Sequence, residues 1–366
     1  MAETLSKRPV LLAAGGTGGH LFPAEALADM LAQRGQRCEL VTDTRVEDWV
    51  GRFPGDVHTI TAGTVTGADL LGKIRGAFRL FLGYRQAGAL IRKIAPRAVV
   101  GFGGYPTVPP LLAASRMGVP TLIHEGNAVM GRANGFLASR VTRIATGFPL
   151  RQSAFPEKTI LTGNPVRRPV IHAAETAYPA LAAGGTLRLI VFGGSQGARV
   201  MSDVVPNALQ NMPEALRKRI HITQQARDED VFRVTKLYEK LGIAHQVENF
   251  FADLPKRIAE SHLVIARAGA STVSELAVIG RPGLLVPLPG SLDQDQSANA
   301  EVLVAAGGAI AMPQSAFTPI SVAEMLERLI DDPARLQRMA AAAKSIGVAD
   351  AAARLAGEVL SILADR

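Results

Sequence analysis

The chain has 366 residues, 48% of them apolar and 20% charged, with one cysteine and a formal net charge of +8. That length suits two domains, and that balance excludes a disordered chain. No apolar run approaches the ~18 residues a bilayer span needs, and a lone Cys38 excludes a disulfide framework or thiolate cage, so a reducing compartment fits.

The start, Met1 to Arg8, has no signal-peptide core, because Val10 to Ala14 runs straight into the glycine turn Gly15-Gly-Thr-Gly-Gly-His20. A helix pattern follows from Ala24 to Leu31. A second strand, Cys38 to Val41, ends near Asp43, and a Gly/Thr-rich loop covers Thr59 to Gly67. From Leu70 to His124 there is no acidic residue, while Lys73, Arg75, Arg79, Arg85, Arg92, Lys93, Arg97 and Arg116 fall inside it. Within that window Ile74, Phe78, Phe81 and Leu82 recur at helical spacing among Lys73, Arg75 and Arg79. This is either a core helix with a solvated basic edge or an apolar patch rimmed by cations that rests on an anionic membrane. With 5% aromatic residues and no recognisable module, nucleic acid is the weakest partner for the basic window.

Ala98 to Gly101 forms a third strand, opening into Phe102-Gly-Gly-Tyr-Pro106. Val119 to Ile123 forms a fourth, ending in His124, Glu125 and Asn127. Polar residues at a strand's carboxyl end sit where an α/β crevice takes its ligand, although His124 and Glu125 could instead satisfy each other. Leu161-Thr-Gly-Asn-Pro-Val-Arg-Arg-Pro169 reads as a domain linker.

The second half repeats the opening: strand Leu187 to Phe192, glycine turn Gly193-Gly-Ser-Gln-Gly197, and a helix pattern to Val205. Neither glycine turn fits the dinucleotide fingerprint, and neither carries a P-loop lysine. Further on, Leu263 to Ala266 is a strand. The turn Arg267 to Gly269 leads into the helix pattern Ala270, Ser271, Thr272, Val273, Ser274 and Glu275. A helix start of this kind favours an anion, and Glu275 could accept from a sugar hydroxyl. The alternative is that Ser271 and Thr272 only cap the helix and Glu275 completes a capping box. Asp293 and Asp295 form a bare D-x-D pair for a divalent metal, a spacing that is also common by chance. Pro333 to Ala364 reads as one or two helices. Catalytic triads, paired acids and metal cages do not appear. An inventory of glycine loops, helix starts and arginines suits transfer with a departing diphosphate.

Six motifs occur in the order seen in the MurG family, the peptidoglycan enzymes that add N-acetylglucosamine to lipid I. They are Gly15–His20, Gly101–Pro106, His124–Asn127, Gly163–Arg167, Gly193–Ala198 and Gly269–Glu275. The resemblance implies an α/β fold of two Rossmann-like doubly wound domains facing a cleft (GT-B). An N-terminal acceptor- and membrane-facing domain would cover 1–165, with helices of about 346–366 packing back on it. A UDP-sugar domain would cover 166–345.

The activity implied is inverting transfer from UDP-N-acetylglucosamine to the C4 hydroxyl of the muramoyl sugar of undecaprenyl-diphospho-N-acetylmuramoyl-pentapeptide. By similarity Ser195 and Ala270 to Thr272 meet the donor diphosphate and Glu275 the ribose, with Val273 and Ser274 also in the donor site. Phe251 stands where the backbone reads uracil, and Gln296 and Asn127 hold the sugar. Thr17, Gly18, Gly19 and Arg167 join them. Gly15, Gly16, Gly103, Gly104 and Tyr105 would face the acceptor pyrophosphate.

His20 is the candidate base and Glu125 the second. No cofactor is implied, and no metal is required. The expected location is peripheral, on the cytoplasmic face of the membrane, which leaves room for other cell-wall synthesis proteins as partners. Gly126 replaces the family's usual glutamine, and Asp295 stands where glutamine or histidine is frequent. Competing readings are an NAD-linked oxidoreductase with Asp43 as ribose acid, a UDP-N-acetylglucosamine epimerase, and a non-catalytic membrane module.

Overall fold

The structure, a computed structural model, describes residues 8–15, 18–44, 53–62, 70–150, 152–194, 197–291 and 295–364, the side chains of 70–74 excepted. The chain divides into two compact units. One comprises Met1–Arg167 with Ala349–Arg366, and the other Arg168–Val348.

The first unit contains β1 (Val10–Ala13), α1 (Gly18–Gln33), β2 (Cys38–Thr42), β3 (Val57–Thr59), α2 (Leu70–Ile94), β4 (Ala98–Gly101), α3 (Val108–Arg116), β5 (Thr121–Glu125), α4 (Arg132–Ala138), β6 (Arg143–Thr146) and β7 (Thr159–Leu161). Among the described residues these strands form one parallel sheet in the order β3-β2-β1-β4-β5-β6-β7. A parallel sheet covered on both faces needs apolar residues at consecutive positions, and every residue of β1, β4 and β5 is buried. Strand alternation splits them between two cores. Val10, Leu12 and Val100 face α1, and Leu11, Ala13 and Val99 pack with Leu111 and Leu137. Cys38 lies inside β2, where burial pushes its thiol up to about 12 and leaves it unreactive.

The second unit contains α5 (Arg168–Ala173), β8 (Leu187–Phe192), α6 (Arg199–Asn211), α7 (Glu214–Arg217), β9 (Ile220–Gln225), α8 (Asp228–Leu241), β10 (Ala244–Glu248), α9 (Leu254–Glu260), β11 (Leu263–Ala266), α10 (Ala270–Ile279), β12 (Gly283–Leu285), α11 (Asp295–Ala305), β13 (Ala309–Ala311), α12 (Pro319–Ile330) and α13 (Pro333–Ser345). Its described strands run in the order β10-β9-β8-β11-β12-β13, all parallel. Counted from its own first strand, the second unit orders its described strands 3-2-1-4-5-6, and the first follows the same order with a seventh strand added at the edge, the doubly wound arrangement. Each sheet therefore reverses direction beside its first strand, between β1 and β4 and between β8 and β11. Ligands of open parallel sheets lodge there, beyond the carboxyl ends of the strands.

The closing helix, α14 (Ala351–Ala364), belongs to the first unit. Leu355, Ala356, Val359 and Ile362 recur at helical spacing and share a core with Leu21, Leu27 and Leu31 of α1. Arg34 donates to the Ala353 carbonyl at 3.1 Å, and Arg143 pairs with Glu358 at 2.7 Å.

The second unit holds the chain after Arg168 by a buried cation. Arg281, 1% exposed, donates to the carbonyls of Ala259 (2.9 Å), Ile279 (2.9 Å), Gly280 (3.0 Å), Thr176 (3.1 Å) and Ala177 (3.1 Å). Burial pushes its guanidinium down to about 10. Lys344 adds bonds to the carbonyls of Ala174 (2.9 Å) and Val278 (2.7 Å).

On α2 the core reading fails for three residues. Phe78, Phe81 and Leu82 are 61%, 54% and 37% exposed, with Arg75, Arg79 and Arg85 exposed around them. Ala87 and Ile91 of the same helix are the ones that enter the core. Phe78 and Ala87 are roughly half a turn out of phase at about 3.6 residues per turn, so packing one exposes the other. The side chains of Lys73 and Ile74 lie outside the described residues. Among the described residues no helix is long and apolar enough to cross a membrane.

Candidate active site

In the first unit the loops after β1, β4 and β5 meet at the switch point. His20, in the first turn of α1, donates from Nδ1 to the Gly15 carbonyl at 3.0 Å. A carbonyl can only accept, so Nδ1 carries the proton and Nε2 of the neutral ring keeps its lone pair. The ring lies over the turn after β4. A Cβ added to Gly103 would come within 3.3 Å of His20 Nε2, and one on Gly104 within 3.6 Å of its Nδ1. Gly103 and Gly104 have φ of 92° and 77°, which side chains resist, so the backbone of this turn favours glycine at both positions, and at 103 the ring leaves little room besides. Thr107 ties the turn by donating to the Gly104 carbonyl at 2.7 Å, and Gly15 packs directly on Pro106. Tyr105 is half-buried beside it. Gly16 and Thr17 lie outside the described residues.

His124 and Glu125 do not pair. His124 is buried at the end of β5, with Nε2 donating to the Gly163 carbonyl at 3.2 Å. Burial lowers its pKa to about 4, so it stays neutral and moves no proton near neutrality. Glu125 is buried too, and four donors, three from its own loop and one from α4, occupy its carboxylate. Oε1 accepts from Asn127 N (3.0 Å) and Nδ2 (3.1 Å), and Oε2 from Gly131 N (2.9 Å) and Asn134 Nδ2 (2.8 Å). A carboxylate so engaged organises the loop that carries Asn127.

Asn164 bridges to the next loop, donating to the Gly126 carbonyl at 2.9 Å. Three residues on, Arg167 lays its guanidinium 3.8 Å from the ring centroid of Phe22 on α1. Gly18 packs against the same ring, and Gly19 beside it is exposed.

In the second unit the loops after β8 and β11 flank the switch point. Gly193 has no room for a side chain, because a Cβ would run into the backbone of Gly197 and Ala198. That glycine is demanded by the turn itself. Ser195 lies outside the described residues. After β11 the chain passes Arg267, buried and donating to the carbonyls of Val286 (3.1 Å) and Pro287 (3.2 Å) and to Gln314 (2.6 Å). Asn299 holds the Ala268 carbonyl at 3.3 Å.

The capping reading fails at α10. The N-cap is Gly269, and no side chain caps it. Ala270, Ser271 and Thr272 form the first turn, and Glu275 lies too far along for a capping box, which needs the third helical residue. Val273, Ser274 and Glu275 are buried. The helix start thus presents backbone N–H groups at the carboxyl edge of the sheet, where an anion gains about 0.3–1 kcal/mol, up to ~2 when partly buried. Phe251 is buried under Arg257, whose guanidinium lies 4.5 Å from its ring centroid, so any ligand contact at 251 must come from its backbone. The Gln296 amide oxygen accepts from Leu288 N at 3.0 Å. Asp295 uses Oδ1 on Gln296 N at 2.7 Å, and Asp293 lies outside the described residues. Among the described residues no three His, Cys, Asp or Glu side chains gather as a metal site would require.

Residues 10–146 match the glycosyltransferase family 28 N-terminal domain, and residues 188–355 match the glycosyltransferase family 28 C-terminal domain. The chain belongs to glycosyltransferase family 28. A protein of Rhodopseudomonas palustris named UDP-N-acetylglucosamine--N-acetylmuramyl-(pentapeptide) pyrophosphoryl-undecaprenol N-acetylglucosamine transferase is 56% identical over 96% of this chain and 97% of its own length. The like-named protein of Methylobacterium nodulans is 55% identical over 98% and 97%. The crystal structure of Acinetobacter baumannii MurG is similar with a TM-score of 0.78 at 28% identity, covering 97% of this chain and 99% of that one. Two parallel-sheet units of the GT-B kind are what this family 28 chain shows, and the oxidoreductase reading built on Asp43 falls away.

Three residues that hold candidate site residues were not singled out by motif. Asn134 holds both Glu125 and the His124 carbonyl, Asn299 holds Ala268, and Phe22 carries Arg167. Asparagines outside any recurrent spacing leave no pattern to read. Phe22 looks like one more apolar residue of a helix.

Proposed function

We propose that the two switch points divide one reaction. The chain transfers N-acetylglucosamine from UDP-N-acetylglucosamine to a lipid-linked N-acetylmuramyl-pentapeptide, making the disaccharide lipid of peptidoglycan synthesis. In our reading the C4 hydroxyl of the muramoyl sugar attacks the anomeric carbon with inversion, and UDP departs. The observation that carries the assignment of the donor is the uncapped start of α10 at its switch point, with Glu275 buried one turn along.

There Ala270 to Thr272 and Ser195 receive the diphosphate, Glu275 the ribose and the backbone of Phe251 the uracil, with Val273 and Ser274 among the donor residues. Gln296 and Asn127 take the sugar, with Thr17, Gly18, Gly19 and Arg167 completing the donor contacts. Gly15, Gly16, Gly103, Gly104 and Tyr105 receive the acceptor pyrophosphate beside His20. Peptide dipoles and arginine neutralise the departing charge, so this reading needs no resident metal or organic cofactor. His20 Nε2 takes the acceptor proton. The Glu125 carboxylate, held by four donors, supports the loop and is not the base.

The test follows UDP release from UDP-N-acetylglucosamine with purified protein. Release should depend on added lipid-linked muramyl-pentapeptide and yield the disaccharide lipid. Acceptor-independent release of free sugar, or no turnover with the acceptor, would overturn this assignment.

The exposed Phe78, Phe81 and Leu82 with Arg75 and Arg79 support peripheral attachment to anionic lipid, which we assign to the cytoplasmic face. Each cation near such a surface contributes about 1 kcal/mol. Changing Lys73, Arg75 and Arg79 to glutamate should abolish co-sedimentation with vesicles containing anionic lipid while soluble-acceptor turnover persists. Unchanged sedimentation would remove this patch from consideration.

A further inference from the structure

We propose that Phe22 is a positioning residue for Arg167, holding its guanidinium over the ring so that its charge serves the donor. This rests on the reading of Arg167 as a donor contact and adds the group that makes the contact work.

The backbone before Arg167 is already fixed. Gly163 N bonds to the Thr146 carbonyl at 3.1 Å, Asn164 to the Gly126 carbonyl at 2.9 Å, and Val166 is buried. Its long side chain is not fixed by that anchoring, and an arginine loses substantial rotamer freedom when ordered. Phe22 supplies the restraint. Its ring packs against Gly18, where an added Cβ would sit 3.0 Å from Cε2, so the ring lies on the opening of the helix. The guanidinium carbon lies over the ring, 3.8 Å from its centroid.

The ring thus touches both Gly18, the first residue of α1, and the Arg167 guanidinium. Lysine would keep the charge but is a compact, strongly hydrated cation without the pre-organised planar fork, so it is a poorer substitute. Phe22 and His20 lie two positions apart on α1 and so on different faces. A change at 22 therefore leaves the bond from His20 to Gly15 in place, which separates an effect on donor binding from one on proton removal.

The experiment is steady-state kinetics of the full chain with varied UDP-N-acetylglucosamine and saturating acceptor. The variants are Phe22→Leu, Phe22→Tyr, Arg167→Ala, Arg167→Lys and the double Phe22→Leu/Arg167→Ala, each checked for wild-type thermal unfolding. Phe22→Leu should raise the donor KM about 5- to 20-fold with kcat and acceptor KM within about twofold, the range a partly desolvated cation–π contact supports. Phe22→Tyr keeps the aromatic face and should recover most of the loss. Arg167→Lys keeps the charge without the stack and should resemble Phe22→Leu, so the inference stays testable even if the leucine variant folds poorly. In the Arg167→Ala background, Phe22→Leu should add nothing further.

Equal effects of Phe22→Leu with and without Arg167 would overturn the inference, as would a fall in kcat with donor KM unchanged. A wild-type donor KM in Arg167→Ala would remove both the donor role of Arg167 and the inference while transfer itself survived. Absence of transfer by the unaltered chain would instead refute the functional reading.

Discussion

Replacing His20 with alanine is expected to lower kcat by about 10²- to 10⁴-fold, the contribution typical of a positioned general base. The Gly15 carbonyl fixes the tautomer by accepting from Nδ1, which leaves Nε2 as the basic atom beside Gly103. A base must be deprotonated to act, so kcat/KM should fall on the acid side in the wild type. That limb should disappear in His20→Ala, and His20→Gln should not restore it. Glu125→Gln should behave differently. Placing an amide NH2 among the donors of Gly131, Asn127 and Asn134 loosens the loop that carries Asn127, so donor KM and thermal stability should suffer while the acid limb persists. Near-normal turnover of His20→Ala, or an intact acid limb in its residual activity, would remove His20 from the proton path.

Arg281→Met should destabilise the second unit by about 3–5 kcal/mol. The guanidinium is the donor for five backbone carbonyls from two separate stretches of chain, 176–177 and 259–280. Methionine matches the length but donates nothing, and each buried carbonyl left without a partner costs about 1–3 kcal/mol. Part of the loss is returned, because burying a cation without a carboxylate is itself unfavourable, as the lowered pKa of about 10 records. For a unit of this size the net corresponds to a fall in Tm of roughly 10 °C by calorimetry. Arg281→Lys should recover only a part, since an ammonium cannot span all five acceptors. A Tm within 2 °C of wild type, on the order of the ~2–4 °C that 1 kcal/mol produces, would show that the carbonyls find other partners.

Much of the fold could be read from residue patterns because its signals are local and repeated. Val10 to Ala14 and Leu187 to Phe192 are short apolar runs that break into glycine, and both became first strands of doubly wound sheets. The run Leu263 to Ala266 and the helix after Gly269 were equally plain. What escaped was side-chain commitment. Nothing in the string His124-Glu125 says that one ring turns to Gly163 and the other carboxylate to its own loop, because neighbours on a strand face opposite sides of the sheet. The opening of α10 carries two hydroxyls that suggest a cap, but the extended residue before the helix is Gly269, so both hydroxyls fall inside the first turn. On α2 periodicity marked the residues sharing a face without saying which face was inward. Ala87 and Ile91, farther along, decided that.

The last helix completes the first unit, and this sets an order of assembly during synthesis. The second unit is one contiguous stretch, 168–348, and needs no segment synthesised after it. The first unit has to wait. Until Leu355, Val359 and Ile362 arrive, Leu27 and Leu31 of α1 lack their covering and present an apolar stripe to whatever is nearby. A nascent or prematurely terminated chain should therefore be a client for holdase chaperones through its oldest segment, not its newest.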